Sequence, residues 1–172
     1  MMNGTKQLEK VEVVRMALEH LDKVLAIERD SFPSPWSREG FRKEIVNRDR
    51  SISLTALIDG QVVGYCVAWL VVDEFYIGNI AVHREHRRKG IGQMLLRTLL
   101  HQGLAQGCRL ATLEVRQTNR AAIELYKKFG FSAVAVRKGY YRDTGEDALV
   151  MLQNLKQEAQ TCSNYQMVHN VE

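Results

Sequence analysis

Residues 83–92, His-Arg-Glu-His-Arg-Arg-Lys-Gly-Ile-Gly, constrain the fold of this chain more than any other stretch. They follow "EFYIGNIAV" (74–82), which reads as a strand. They lead into "IGQMLLRTLLHQGLAQG", where Ile91, Met94, Leu95, Leu99 and Leu104 recur at helical spacing and Gly107 supplies a stop. A strand, a glycine-bearing loop and a helix start must therefore follow one another directly. A helix start carries four backbone N–H groups without intrahelical partners, and its dipole favours an anion. Gly90 and Gly92 let backbone approach a ligand closely, and Arg87, Arg88 and Lys89 add positive charge. Together these make a cradle for a pyrophosphate. The plain competitor is a solvated loop that only starts a helix.

Other readings of the loop fare worse. It has no G-K-[ST], so it is not a Walker loop, and no G-x-G-x-x-G, which disfavours a Rossmann dinucleotide site. His83 and His86 sit three apart without nearby cysteines, so no metal is expected. A basic cluster also suits nucleic acid. No aromatic-interleaved basic motif accompanies it, however, and direct nucleic-acid binding is not expected. The net charge of +4 suits an anionic partner without requiring one.

The compartment follows from what surrounds the loop. Cys66, Cys108 and Cys162 are odd in number and widely spaced, which argues against a disulfide framework and for a reducing environment. The N-terminus "MMNGTKQLEK" shows no apolar signal core. The longest nearly apolar run, "VVGYCVAWLVV" (62–72), is too short for a membrane-spanning helix and reads as a buried strand. A cytoplasmic protein with no membrane partner is the expectation.

A chain of 172 residues suggests one domain. "VEVVRM" (11–16) reads as a strand, and apolar residues from Leu18 to about Asp30 give an amphipathic helix. The two prolines of "SFPSPWS" (31–37) end it, and Ser37 is placed to cap a second helix that turns Phe41 and Ile45 inward. Two strand-like runs flank Asp59-Gly60, a two-residue hairpin signal. After the loop and its helix, "RLATLEVR" (109–116) alternates as a strand, and Asn119 starts a short helix closed by Gly130. "FSAVAVRKGYY" and "DALVMLQNL" form a final antiparallel pair. The expectation is one mixed α/β domain over 1–155 and a polar, loosely ordered tail over 156–172.

"RRKGIG" (87–92) fits the R/Q-x-x-G-x-G/A signature of the Gcn-related N-acetyltransferase superfamily. With "FPSPWS", "NIAV", "LEVRQTNRAAIELYKKFGF" and "YYRDTGEDALVM" in order, residues 11–155 resemble the bacterial ribosomal-protein alanine N-acetyltransferases. The resemblance implies an α/β (mixed α+β) acyl-CoA N-acyltransferase fold: a mostly antiparallel sheet flanked by helices, with splayed fourth and fifth strands that admit acetyl-CoA. It implies that Ile80, Ala81 and Val82 line the pantetheine and acetyl group. The amides from Arg88 through Lys89, Gly90, Ile91 and Gly92 to Gln93, beside Arg87, would hold the pyrophosphate. Asn119 would touch the cofactor from the next helix start, and it also suits a plain N-cap; both roles are compatible. Acetyl-CoA is the implied co-substrate, without a metal.

Acetyl transfer to an amine needs a neutral nucleophile, stabilisation of the thioester oxygen and a proton for the departing thiolate. The resemblance makes Glu114, in "TLEVR", the proton acceptor. Read alone, Glu114 is as well an outward strand residue paired with Arg116. Tyr126, in "AIELYKKFGF", corresponds to the general acid; read alone, it packs at helical spacing with Ile123 and Phe129. An amide near Ala81 or Val82 is the oxyanion donor to expect. Cys66 and Cys108 read as packing residues. Trp36, Tyr140 and Tyr141 fall where the family's acceptor groove lies, as walls or as loop anchors, and Pro33-Ser34-Pro35 departs from the family pattern there. The implied acceptor is a protein N-terminus, that of an alanine-starting ribosomal protein. Other protein N-termini, lysine or a small amine, and a non-catalytic acyl-CoA-binding module, remain as alternatives.

Overall fold

The computed structural model describes residues 10–155, so the tail expected from Lys156 lies outside the described residues. Seven strands form one sheet: β1 (Val11–Arg15), β2 (Ser51–Ile58), β3 (Gln61–Val71), β4 (Glu74–Val82), β5 (Leu110–Arg116), β6 (Ser132–Tyr141) and β7 (Glu146–Asn154). Four α-helices accompany them: α1 (Leu21–Ser31), α2 (Arg38–Val46), α3 (Ile91–Ala105) and α4 (Arg120–Lys128). The spatial order is β1-β2-β3-β4-β5-β7-β6.

Local chemistry sets most boundaries. Asp59 and Gly60, at φ 49 and 75, make the turn that joins β2 to β3. The Ser37 hydroxyl accepts from Gly40 N–H at 3.1 Å and starts α2. The helix expected from Leu18 begins instead at Leu21, after a 3-10 turn over Leu18–His20. There the His20 Nδ1 accepts from the Ala17 N–H at 3.0 Å and tightens the first turn. On α3 the buried stripe includes Ile91, Leu95, Leu96, Leu99 and Leu100; Met94 is exposed. Of the expected apolar set, Ile91, Leu95 and Leu99 are buried, Leu104 is partly buried and Met94 alone faces out.

Every neighbouring pair of strands is antiparallel except β4 and β5. A parallel pair needs a crossover, and α3 supplies it. The β4–β5 ladder runs only from Glu74 opposite Leu110 to Ile77 opposite Leu113. Beyond it β4 continues to Val82 and β5 to Arg116 with no pairing between them, so the two strands splay.

The sheet separates two apolar clusters. One holds Phe75, Ile77, Leu113 and Val115 beneath α3 and α4; the other holds Tyr65, Val67 and Ala81 with α1 and α2. A bulge in β4 serves the splay: Val67 faces Asn79 and Ala68 faces Ile77, leaving Gly78 as the extra residue. Side chains alternate in a strand, so the insertion switches faces. Before it, Phe75 and Ile77 point to the α3 side; after it, Ile80 and Val82 do, and Asn79 turns toward α1. Gly78 is required here, because a Cβ would run into the Trp69 ring.

Candidate active site

The splayed strand ends frame two clefts that meet. The first, about 930 Å³, lies along the loop before α3. Arg88 (φ 65) and Gly90 (φ 82) are both left-handed, and such alternation turns successive amides inward to form a nest for an anion. Space is open at Gly90, where an added Cβ would meet nothing within 4 Å. Ile80, Ala81, Val82, Arg87, Arg88, Gly90, Ile91, Gly92, Gln93 and Asn119 all line this cleft. Lys89 is not among its lining residues. Arg87 is committed to the loop itself: its Nε donates to the Val82 carbonyl at 2.9 Å and its guanidinium reaches Ser31 Oγ at 3.4 Å.

Two cationic residues that the sequence did not single out also face this cleft, together with His86. Arg120 and Lys128 reach it from α4, and His86 from the loop. His86, weighed in the sequence only as a metal ligand, has a buried Nδ1 without a hydrogen-bond partner among the described residues. The signal for the α4 pair was present in "NRAAIELYKK", one helical face carrying both cations, but only the topology brings that face to the loop.

Backbone alternation narrows the choice of oxyanion donor. His83 N–H donates to the Val63 carbonyl at 2.8 Å. Amides of an antiparallel strand face alternate sides, so Ala81 N–H also faces β3, whereas Ile80 and Val82 N–H face the gap. Of the expected pair, Val82 is the one directed into the gap.

The second cleft, about 570 Å³, opens on the α1–α2 side. Glu114, Tyr126, Trp36, Tyr140 and Tyr141 all line it. Ser31, Phe32, Ile80, Asn119 and Ala122 border both clefts, which makes them continuous. Asn119 caps α4, its side chain accepting from Ala122 N–H at 3.2 Å, while standing at this junction.

Glu114 follows immediately after the last residue of β5 that pairs with β4, and its side chain is 4% exposed. Tyr76 donates to its Oε2, and the Arg137 Nη1 lies 3.1 Å from its Oε1. The alternative pairing with Arg116 is not formed. Arg116 instead binds Asp143 at 2.7 Å and Glu146 at 3.2 Å, with its guanidinium 3.9 Å from the Tyr141 ring centroid. These partners hold Asp143 and Glu146 below the usual carboxylate range: Arg116 is the chief cause for Asp143, and the Thr118 hydroxyl for Glu146.

Tyr126 is 8% exposed and packs on Phe131, with ring centroids 5.8 Å apart. Burial pushes its hydroxyl well above the ordinary phenol range, so it stays protonated. Burial likewise pushes Tyr141 up to about 12. Trp36 stacks on Trp69 (5.6 Å, 26°), and Trp69 stacks on Tyr76 (5.6 Å, 27°), a ladder of rings that ends at the Glu114 carboxylate. Ser34 Oγ donates to Asp143 at 3.2 Å, joining the Pro33-Ser34-Pro35 loop to the β6–β7 hairpin across the cleft.

Glu28, on α1, is a functional candidate that the sequence reading passed over. Its carboxylate is fully buried at the floor of the second cleft. It accepts from Trp36 N–H at 2.9 Å, from Asn79 Nδ2 at 3.3 Å and from the Tyr65 hydroxyl. Burial raises its affinity for a proton, and the Trp36 and Asn79 bonds oppose that rise.

Residues 21–131 match the acetyltransferase (GNAT) family model. A protein of Bacillus subtilis (strain 168), named provisionally as a [ribosomal protein bS18]-alanine N-acetyltransferase, is 41% identical over 142 residues, covering 83% of this chain and 94% of that one. The [ribosomal protein bS18]-alanine N-acetyltransferase of Escherichia coli (strain K12) is 35% identical over 127 residues, covering 73% and 84%. The crystal structure of the Escherichia coli ribosomal-protein-S18-alanine N-acetyltransferase superposes with a TM-score of 0.77 at 28% identity, over 92% of this chain and 100% of that chain. This chain belongs to the GNAT acetyltransferase family. It is an N-acetyltransferase of that family, whose members take their acetyl group from acetyl-CoA.

Proposed function

We propose that this enzyme transfers the acetyl group of acetyl-CoA to the N-terminal α-amine of a protein, with the alanine-starting end of a ribosomal protein in the cytoplasm as its acceptor. The observation that carries this reading is the meeting of two clefts at Ile80 and Asn119, one bearing the anion nest and the other bearing Glu114. The names of the relatives support the choice of acceptor.

Acetyl-CoA supplies the thioester that the amine attacks. The nest at Arg88–Gly90, with Arg120 and Lys128 beside it, suits the pyrophosphate and further phosphate charge. Glu114 takes one proton from the acceptor's ammonium group, which frees the nitrogen lone pair. The gap-facing Val82 N–H donates to the carbonyl oxygen as charge gathers there. Tyr126 gives its proton to the departing sulfur and is reprotonated from the attacking nitrogen. Of the ammonium's three protons, one leaves through Glu114, one ends on the thiol and one stays on the amide. An α-amine suits this site because roughly a tenth is already neutral near pH 7, against well under a hundredth for lysine.

The test is to incubate the protein with acetyl-CoA and three acceptors in parallel: a free alanine-starting peptide, the same peptide N-blocked but carrying lysine, and a small polyamine. Thiol release and product mass are followed. The expected result is acetylation of the free peptide alone. Modification of the blocked peptide only would overturn the α-amine reading, and binding of acetyl-CoA without turnover on any acceptor would overturn catalysis.

A further inference from the structure

Both oxygens of the Glu114 carboxylate are occupied. Tyr76 donates to Oε2, and the Arg137 Nη1 stands 3.1 Å from Oε1. With the side chain only 4% exposed, an acceptor reaches the carboxylate most directly by displacing one of these groups. The two groups are not equally mobile. Tyr76 belongs to β4 and is stacked on Trp69, itself stacked on Trp36. Arg137 stands on β6, the sheet's edge strand, and its side chain is 56% exposed. Its guanidinium lies 5.6 Å from the Tyr140 ring centroid, a cation–π seat that does not depend on Glu114.

We propose that Arg137 holds the acceptor's place on Glu114 and that the incoming α-ammonium displaces it. The exchange replaces one cation by another on the same oxygen, so the carboxylate is not left without a counter-charge in a closed site. Arg137 swings toward solvent while keeping its seat over Tyr140. The ammonium then sits on Oε1, where its proton passes to Glu114. When the acetylated product, now neutral at its nitrogen, leaves, Arg137 returns. It takes its place on Oε1 again, and the collected proton passes to water. Arg137 is thus a positioning residue that admits a cationic end and resets the base. The proposal rests on Glu114 being that base.

The experiment measures initial rates with a short alanine-starting peptide and acetyl-CoA for wild type, R137A, R137Q, R137K and E114Q. R137A and R137Q are expected to lower the peptide KM about two- to fivefold, the size of an ion pair half open to water, with acetyl-CoA KM unchanged. Methylguanidinium at millimolar concentration is expected to compete with the peptide in those two variants and return their KM to the wild-type value. Wild type and R137K should be insensitive to it. R137Q keeps most of the side-chain stem, so a fault in folding peculiar to R137A does not decide the matter. A higher peptide KM in both variants, or methylguanidinium acting alike on all proteins, would overturn the exchange. E114Q separates the two levels. Wild-type kcat in E114Q removes the base and the exchange together, whereas a slow E114Q with Arg137 variants that behave like wild type removes only the exchange.

Discussion

Tyr76 and Glu114 stand on different strands at the point where those strands part, and the tyrosine hydroxyl donates to the carboxylate. Tyr76 is in the last-but-one position of the β4–β5 ladder, opposite Thr112, and Glu114 is the first residue of β5 beyond that ladder, still paired with Val150 of β7. The bond therefore ties the proposed base to the hinge of the splay. Burial, and then the adjoining Glu114, push the Tyr76 hydroxyl far above the ordinary phenol range, so it acts as a donor throughout the working range and never as a competing base. Tyr76→Phe keeps the ring on Trp69 and removes only the bond. It is expected to lower kcat about tenfold, as for a hydrogen bond to a charged group, with acetyl-CoA KM unchanged. Steady-state kinetics with each substrate varied in turn checks this; an unchanged kcat would show that Glu114 is held by other contacts.

The ring ladder that supports Tyr76 depends on one missing Cβ. Gly78→Ala places a methyl group inside the Trp69 ring and forces that ring off its stack with Trp36 and Tyr76. Overpacking of this kind costs about 1–3 kcal/mol. The variant is expected to melt several degrees lower and to bind the acceptor more weakly, with little change in acetyl-CoA KM, because the loop before α3 lies beyond the bulge. Calorimetry and the two KM values give the answer, and an acetyl-CoA defect equal to the acceptor defect would contradict it.

The element order, the Asp59-Gly60 turn, the Ser37 cap and the glycine loop were legible in the sequence because each rests on local chemistry. Two further kinds of information were not. The bulge has only an ambiguous local mark, the lone Gly78 within a strand, since "FYIGNIAV" alternates acceptably whichever face each residue takes; the Trp69 ring on β3 decides it. Partners fixed by sheet order were hidden as well. Arg116, two residues from Glu114, looked like its counter-ion, but β7 lies between β5 and β6 and brings Arg137 to Glu114 and the hairpin carboxylates to Arg116. Glu28 read as one more polar position on an amphipathic helix, because its three donors come from the loop before α2, β3 and β4.

Glu28 carries a signature in stability rather than rate. Its affinity for a proton is raised in the folded protein, chiefly by burial. Stability from this group is therefore complete below the ordinary carboxylate pKa of about 4.3 and is lost as pH rises through the folded value. Glu28→Gln removes that loss while retaining an oxygen for the Trp36 N–H. The difference in melting temperature, variant minus wild type, should grow in the variant's favour as pH rises from 4 toward 7. A difference that stays flat with pH would show that the buried carboxylate carries no such linkage.

Tyr126 is the proposed proton donor, and its burial has opposing effects on that role. A raised pKa keeps the hydroxyl protonated and ready, yet it makes the phenol a weaker acid toward a thiolate whose conjugate acid lies near 8.5, with cysteine as the proxy. Donation must then accompany departure of the sulfur rather than follow it. Tyr126→Phe removes the donor without opening a cavity, and kcat should fall about a hundredfold or more at unchanged acetyl-CoA KM. In the wild type, kcat should show no decline from Tyr126 ionisation up to the ordinary tyrosine value of about 10. Above that value, stability should fall first. The unfolded chain ionises its tyrosines there, while Tyr76, Tyr126 and Tyr141 resist, Tyr141 up to about 12. Rate and melting profiles between pH 7 and 11 test both statements. An alkaline fall in kcat centred below 9 that disappears in Tyr126→Phe would mean that the hydroxyl ionises during turnover and is not the proton donor.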